Sequence, residues 1–139
     1  MPKVEVTTAK GLIEKTGAAA VSLGSGLAIG VQNVEAAGDA VGNAGAISVT
    51  GGGLVLVTAA DDAKGVALPA LSDVPPGTTY FILNLVSNKT LEIYPQSGDQ
   101  IHPLTNSNPI TVAAKGMLIC IADAAKDEWA SAEPAATGA

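Results

Sequence analysis

Hydrophobic positions come in short bursts along this chain, and turn residues divide one burst from the next. The burst richest in aromatic and branched residues is the near-continuous run 80–86, from Tyr80 and Phe81 through Ile82 and Leu83 to Val86. Seven residues are too few for an ordinary helix, and the aromatic and branched side chains suit a strand, so this run predicts one buried on both faces. Ser87, Asn88 and Lys89 form a polar turn. Residues 90–94 then alternate, with Leu91 and Ile93 facing inward and Thr90, Glu92 and Tyr94 outward. Pro95 has no N–H for a ladder and ends that strand or marks it as an edge. A turn over residues 96–99, with Gly98 available for a positive φ, leads to a short third strand at Ile101.

The same rhythm extends in both directions. Residues 46–50 predict a strand with Ile47 and Val49 inward, Gly51, Gly52 and Gly53 break it, and residues 54–58 form the next apolar strand. After a turn at 61–65, residues 66–69 read as a short strand at a sheet edge that stops at Pro69. Residues 72–77 are a Pro/Gly turn. Downstream of a polar loop at 103–108, Ile110 and Val112 are the inward residues of another strand. Residues 117–122 form one more, and residues 128–130 close the sheet. Strands at about ten-residue spacing, with no helical period longer than two turns, predict an all-β domain. Its expected form is a single antiparallel β-sandwich or barrel of seven to eight short strands spanning residues 46–130.

Residues 1–45 predict an extended Ala/Gly-rich N-terminal arm. Val4, Glu5, Val6, Thr7 and Thr8 alternate with β character, and residues 10–15 predict one helical turn around Leu12 and Ile13 that ends at Gly17. Weak strand patterns follow at 21–23 and 27–31, and residues 36–45 read as linker. So much glycine is costly to order in isolation, which points to an arm that gains structure from a neighbour on assembly. Residues 131–139 form a small-residue tail. Residues 17–34 carry no charge but are too rich in Gly, Ser, Gln and Asn for a spanning helix, and they follow two acidic residues, unlike a signal peptide.

Composition changes this picture in two ways. Hydrophobic residues make up 47% of the chain but aromatic ones only 3%, and much of the remainder is alanine. Such a core buries little apolar area, a deficit that an oligomer interface or docking on a larger surface remedies. The net charge is −6 and arginine is absent, which argues against nucleic acid as a partner.

Candidate chemistry is sparse. Cys120 is the only cysteine and lies within an apolar run, where it reads as a small buried residue. Asp61 and Asp62 lack the alternating ligands and distal glutamate of a calcium loop. His102, the single histidine, has Asp99 nearby as a dyad partner and Ser97 and Ser107 in adjacent loops, without a nucleophile elbow. The triple glycine lacks the lysine and helix of a phosphate loop. These features predict no enzyme, no metal and no cofactor.

One resemblance sharpens the reading. Ala67-Leu68-Pro69, then Gly77-Thr78 leading into the 80–86 strand, Leu91-Glu92-Ile93-Tyr94-Pro95, Gly98-Asp99-Gln100-Ile101 and the closing Trp129 together resemble the small capsid decoration (cement) proteins of tailed bacteriophages. Related patterns occur in other β-rich virion structural proteins. The resemblance implies a protein on the outer capsid surface of a virion, a homotrimer bound to the major capsid protein that braces capsomers; the missing arginine and the polar 17–34 stretch separately predict no nucleic-acid or membrane partner. The arm then supplies the capsid-binding residues, taken as Val4, Glu5, Val6, Thr7, Thr8, Leu12 and Ile13. The alternative is a carbohydrate- or receptor-binding β-module of a phage fibre, tail or adhesin, with Tyr94 and Trp129 as its contact aromatics.

Overall fold

The computed structural model describes residues 4–7, 11–14, 29–62, 64–123, 125 and 127–133. They are all-β apart from one 3-10 turn at Leu71–Asp73. The strands are β1 (Val4–Thr7), β2 (Gly11–Glu14), β3 (Val31–Glu35), β4 (Gly45–Ala46), β5 (Leu54–Ala59), β6 (Gly65–Ala67), β7 (Thr79–Asn84), β8 (Leu91–Tyr94), β9 (Gln100–Ile101), β10 (Ile110–Val112), β11 (Met117–Asp123) and β12 (Glu128–Ala132).

From β3 to β8 the chain alternates between two sheets and does not double back within one. Strands β3, β5 and β7 lie side by side and parallel in a six-stranded sheet, while β4, β6 and β8 do the same in a four-stranded sheet. Each pass through both sheets is therefore one coil of a solenoid-like stack, with about 25 residues per turn, near the short end of known repeats. Beyond β8 the direction reverses. Strand β10 pairs antiparallel with β8, β11 pairs antiparallel with β7, and β12 and β9 complete the larger sheet.

The all-β expectation holds, but the antiparallel sandwich or barrel does not. Ten-residue strand spacing is the same whether the chain folds back in hairpins or winds around two faces, so spacing alone carries no strand direction. Two local expectations change with it. The strand at 66–69 is interior, with β6 flanked by β4 and β8, and Val49 is 51% exposed in the loop after β4 while Ile47 is buried. The sheets also begin at Val31, within the stretch read from sequence as arm. Residues 18–28 and 134–139 lie outside the described residues, as do the weak strand pattern at 21–23 and most of the tail.

Register explains where the core sits. Across the larger sheet the inner rows are Val55, Ile82 and Leu118, then Val57 and Asn84, and then Tyr80 and Cys120. Opposite them, Val66, Ile93, Leu91 and Val112 project from the smaller sheet into the same cluster. Stacking places like side chains over like ones, so one coil's apolar stripe is covered by the next. At the far end Trp129 is fully buried, with its ring centroid 5.8 Å from that of Tyr80.

Polar groups at the corners hold the coils in register. Asn84 ends the inner row of β7 at 1% exposure. Its Nδ2 donates to the carbonyls of Lys89 (2.8 Å) and Ala113 (3.2 Å), and its Oδ1 accepts from the Val86 N–H at 3.1 Å. One side chain thus ties the β7–β8 turn to the β10–β11 turn. Gln32, aligned with Val55 on the first coil, clamps the loop at 48–53: Nε2 donates to Ser48 O and Gly52 O, and Oε1 accepts from the Ser48 N–H. Gly52 has φ +99°, and a Cβ there would lie 2.3 Å from the Gly30 carbonyl, so the middle of the triple glycine is fixed by close approach of two backbones.

Replacing Asn84 with alanine takes the side-chain partner from the Lys89 carbonyl and the Val86 N–H, and one of two donors from the Ala113 carbonyl, which keeps the Gly116 N–H. We expect a loss of about 2–3 kcal/mol in urea unfolding, on the scale of unsatisfied buried groups. A loss under about 0.5 kcal/mol, the range of an ordinary surface substitution, would show that the corner does not rely on this side chain.

Candidate functional site

The sequence places its candidate attachment residues at the N-terminus, and there the structure forms a β-hairpin. Val4–Thr7 and Gly11–Glu14 pair antiparallel, with Val4 opposite Glu14, Glu5 opposite Ile13, Val6 opposite Leu12 and Thr7 opposite Gly11. The expected helical turn at 10–15 is therefore a strand over Gly11–Glu14. A single helical turn fixes several residues for one hydrogen bond, whereas pairing with β1 satisfies the backbone along the whole strand. Thr8 lies outside the described residues; Leu12 and Ile13 sit opposite Val6 and Glu5.

This hairpin is a two-stranded sheet of its own, separate from both solenoid sheets. Each strand is paired on one side, so two edges with backbone donors and acceptors remain open within the described residues. A two-stranded hairpin alone is at best marginally stable in water, and further pairing or packing is what stabilises one.

The sequence's other candidates are drawn into structural roles. Asp99 is not paired with His102: its Oδ2 accepts from the Leu71 N–H at 2.9 Å, bracing the 3-10 turn. The carboxylate beside His102 is Glu128, with Nδ1 to Oε2 at 3.9 Å and the imidazole largely exposed. Ser107 Oγ donates to the Gln96 and Asp99 carbonyls, so it is not aligned on the imidazole. Asp62 accepts from Lys89 Nζ at 3.0 Å and from the Thr90 N–H at 3.4 Å, linking the corners of two successive coils. The Lys89 ammonium holds the Asp62 carboxyl below its ordinary pKa, and the bond raises that of Lys89 in turn. Among the described residues no group of three or more His, Cys, Asp or Glu side chains is placed to hold a metal ion. No helix in them is long and apolar enough to cross a membrane.

Tyr94 and Trp129, the expected contact aromatics, are both buried. The Tyr94 ring lies over Gly65, where a Cβ would stand 2.4 Å from a ring carbon. A shallow cleft of about 510 Å³ opens at a coil corner between Ala37, Thr58, Asp61 and Lys64, without an aromatic side chain in its lining. Sequence reasoning missed the outer face of the six-stranded sheet. Its signal was present in the 80–86 run, taken as covered on both sides, but in β7 Tyr80, Ile82 and Asn84 are buried while Thr79, Phe81 and Leu83 are only half-buried.

No protein-family model, curated protein or solved structure matches the chain.

Cys120 is buried, and desolvation pushes its thiol up to about 12. Desolvation also raises the pKa of Tyr80, and of Tyr94 together with the charges of Glu92 and Asp39. Raised folded-state values mean that these groups' stabilisation is complete below the unfolded pKa of each and is lost as pH rises above it. Urea midpoints should hold near neutrality and fall from about pH 9 upward, with a shallower fall in Cys120→Ala. Cys120 should react with a thiol reagent only after unfolding. Rapid labelling of the native protein would contradict its burial.

Proposed function

We propose that this chain is a structural protein of a tailed-phage virion that binds the outer capsid surface and braces neighbouring capsomers. Residues 1–45 contain its attachment arm. The observation that carries this reading is the separate N-terminal hairpin, whose two outer edges are open among the described residues. A strand of the major capsid protein adding to either edge would gain main-chain hydrogen bonds along its length, a mode in which backbone pairing supplies affinity. The same addition would give the hairpin the third strand that it needs for stability.

The solenoid-like body suits this role. Each coil contacts chiefly its neighbours, so the stack is a nearly one-dimensional unit. In the homotrimer that the resemblance implies, contacts between copies would supplement the aromatic-poor core. The carbohydrate- or receptor-binding alternative depended on Tyr94 and Trp129 as contact aromatics, and both are buried, which favours the capsid reading over it.

Co-sedimentation with undecorated capsids tests the reading. The full chain is expected to pellet with capsids, and a variant lacking residues 1–15 to stay in solution with its circular dichroism and urea midpoint intact. Binding that persists without residues 1–15 rejects the arm as the attachment element. A full chain that ignores capsids rejects the capsid role itself.

A further inference from the structure

The outer face of the six-stranded sheet carries an apolar patch with no counterpart in this chain's described residues. Register aligns it in rows. Val31, Leu54, Phe81, Ile119 and Ala132 stand side by side across β3, β5, β7, β11 and β12. Beside them run Leu56, Leu83 and Met117, and on the other side Ile121 opposes Thr79 and Ala130. The central side chains are half-buried against one another, while Val31 is 52% and Ile121 42% exposed. None of the three rows holds a charge. Polar residues on the same outward face surround the patch: Asn33 and Glu35 on β3, Thr58 on β5, and Asp123 and Glu128 at the far side.

An apolar centre inside a polar rim is the anatomy of a protein–protein contact. Its size fits one too. Strands about 4.8 Å apart and rising about 3.3 Å per residue give the patch, with five, three and three residues in its rows, a projected footprint of roughly 350 Å². The accessible area of a corrugated side-chain layer exceeds its projection, and with the rim it approaches the roughly 800 Å² per partner of a stable interface.

We infer that this face is the contact between copies of this chain. A second copy offers a flat β-surface free of charge at its centre, so no unpaired charge is buried. Two sheets stacking face to face about 10 Å apart are an ordinary β-packing. Self-association also supplies the apolar burial that a chain with 3% aromatic residues lacks. A two-fold pair covers the whole patch with one copy, and a three-fold ring covers it in two halves that meet different neighbours. Each copy carries a net charge of −6 and acidic rim residues, so association strengthens as salt screens the repulsion. The inference does not depend on capsid binding.

Sedimentation equilibrium of the full chain tests it. The wild-type protein is expected to be an oligomer whose mass distinguishes a pair from a ring. Val31→Lys and Ile121→Lys, at positions already open to solvent and therefore compatible with folding, are expected to weaken association by about a hundredfold or more. Val49→Lys is the control: Val49 is equally exposed but lies in the loop after β4 and in none of the patch's rows. A monomeric wild type overturns the inference, and so does an oligomer that withstands both face substitutions or responds equally to Val49→Lys. Capsid co-sedimentation of the same variants reads the other proposal separately, so failure of one is distinguishable from failure of the other.

Discussion

In-register stacking of successive coils is the constraint on which the rest of this structure depends. One coil of two short strands cannot bury its own apolar stripe. Val55 is covered because Ile82 lies in register beside it, and Ile82 because Leu118 does. The smaller sheet repeats the relation with Val66, Ile93 and Ile110. Between the sheets these rows form one cluster, and a slip of one residue in any coil would turn its inward side chains to solvent. The antiparallel strands β10, β11 and β12 end the stack at the C-terminal side, with Trp129 filling the space beneath them.

Polar side chains fix this register where hydrophobic burial, which has no direction, cannot. Asn84 reads three backbone atoms from two turns. Gln32 reads the loop at 48–53 with both ends of its amide. The Asp62–Lys89 pair links two corners at the surface, where screening keeps its contribution small, so it orients more than it stabilises. Asn84 and Gln32 lie at the ends of inner apolar rows, where a side chain can still reach loop backbone.

The molecule then divides by what each surface lacks. Among the described residues, the hairpin of β1 and β2 lacks partners for its backbone edges, and the outer face of the larger sheet lacks cover for its side chains. Backbone edges are met by another strand, and a flat apolar face by another flat apolar face. On the proposed reading the first surface takes a shell protein and the second takes another copy of the chain.

Local pattern places the strands of the second half almost residue by residue. The positions from Leu91 to Tyr94, the turn at Gly98 with φ +95°, and the inward Val112 and buried Cys120 all follow from alternation and turn chemistry, which are local. The N-terminal strand over Val4–Thr7 was legible for the same reason, while β2 was not, because a four-residue apolar segment carries no period long enough to separate a turn of helix from a strand. Tertiary structure alone decided that strands ten residues apart wind around two sheets and do not fold back in hairpins. It also decided that Tyr94 lies covered over Gly65, and that one side of the 80–86 run is left half-open. Direction, partner and cover are properties of contacts between segments far apart in the chain, and a local pattern of apolar and polar residues is the same whichever neighbour finally meets it.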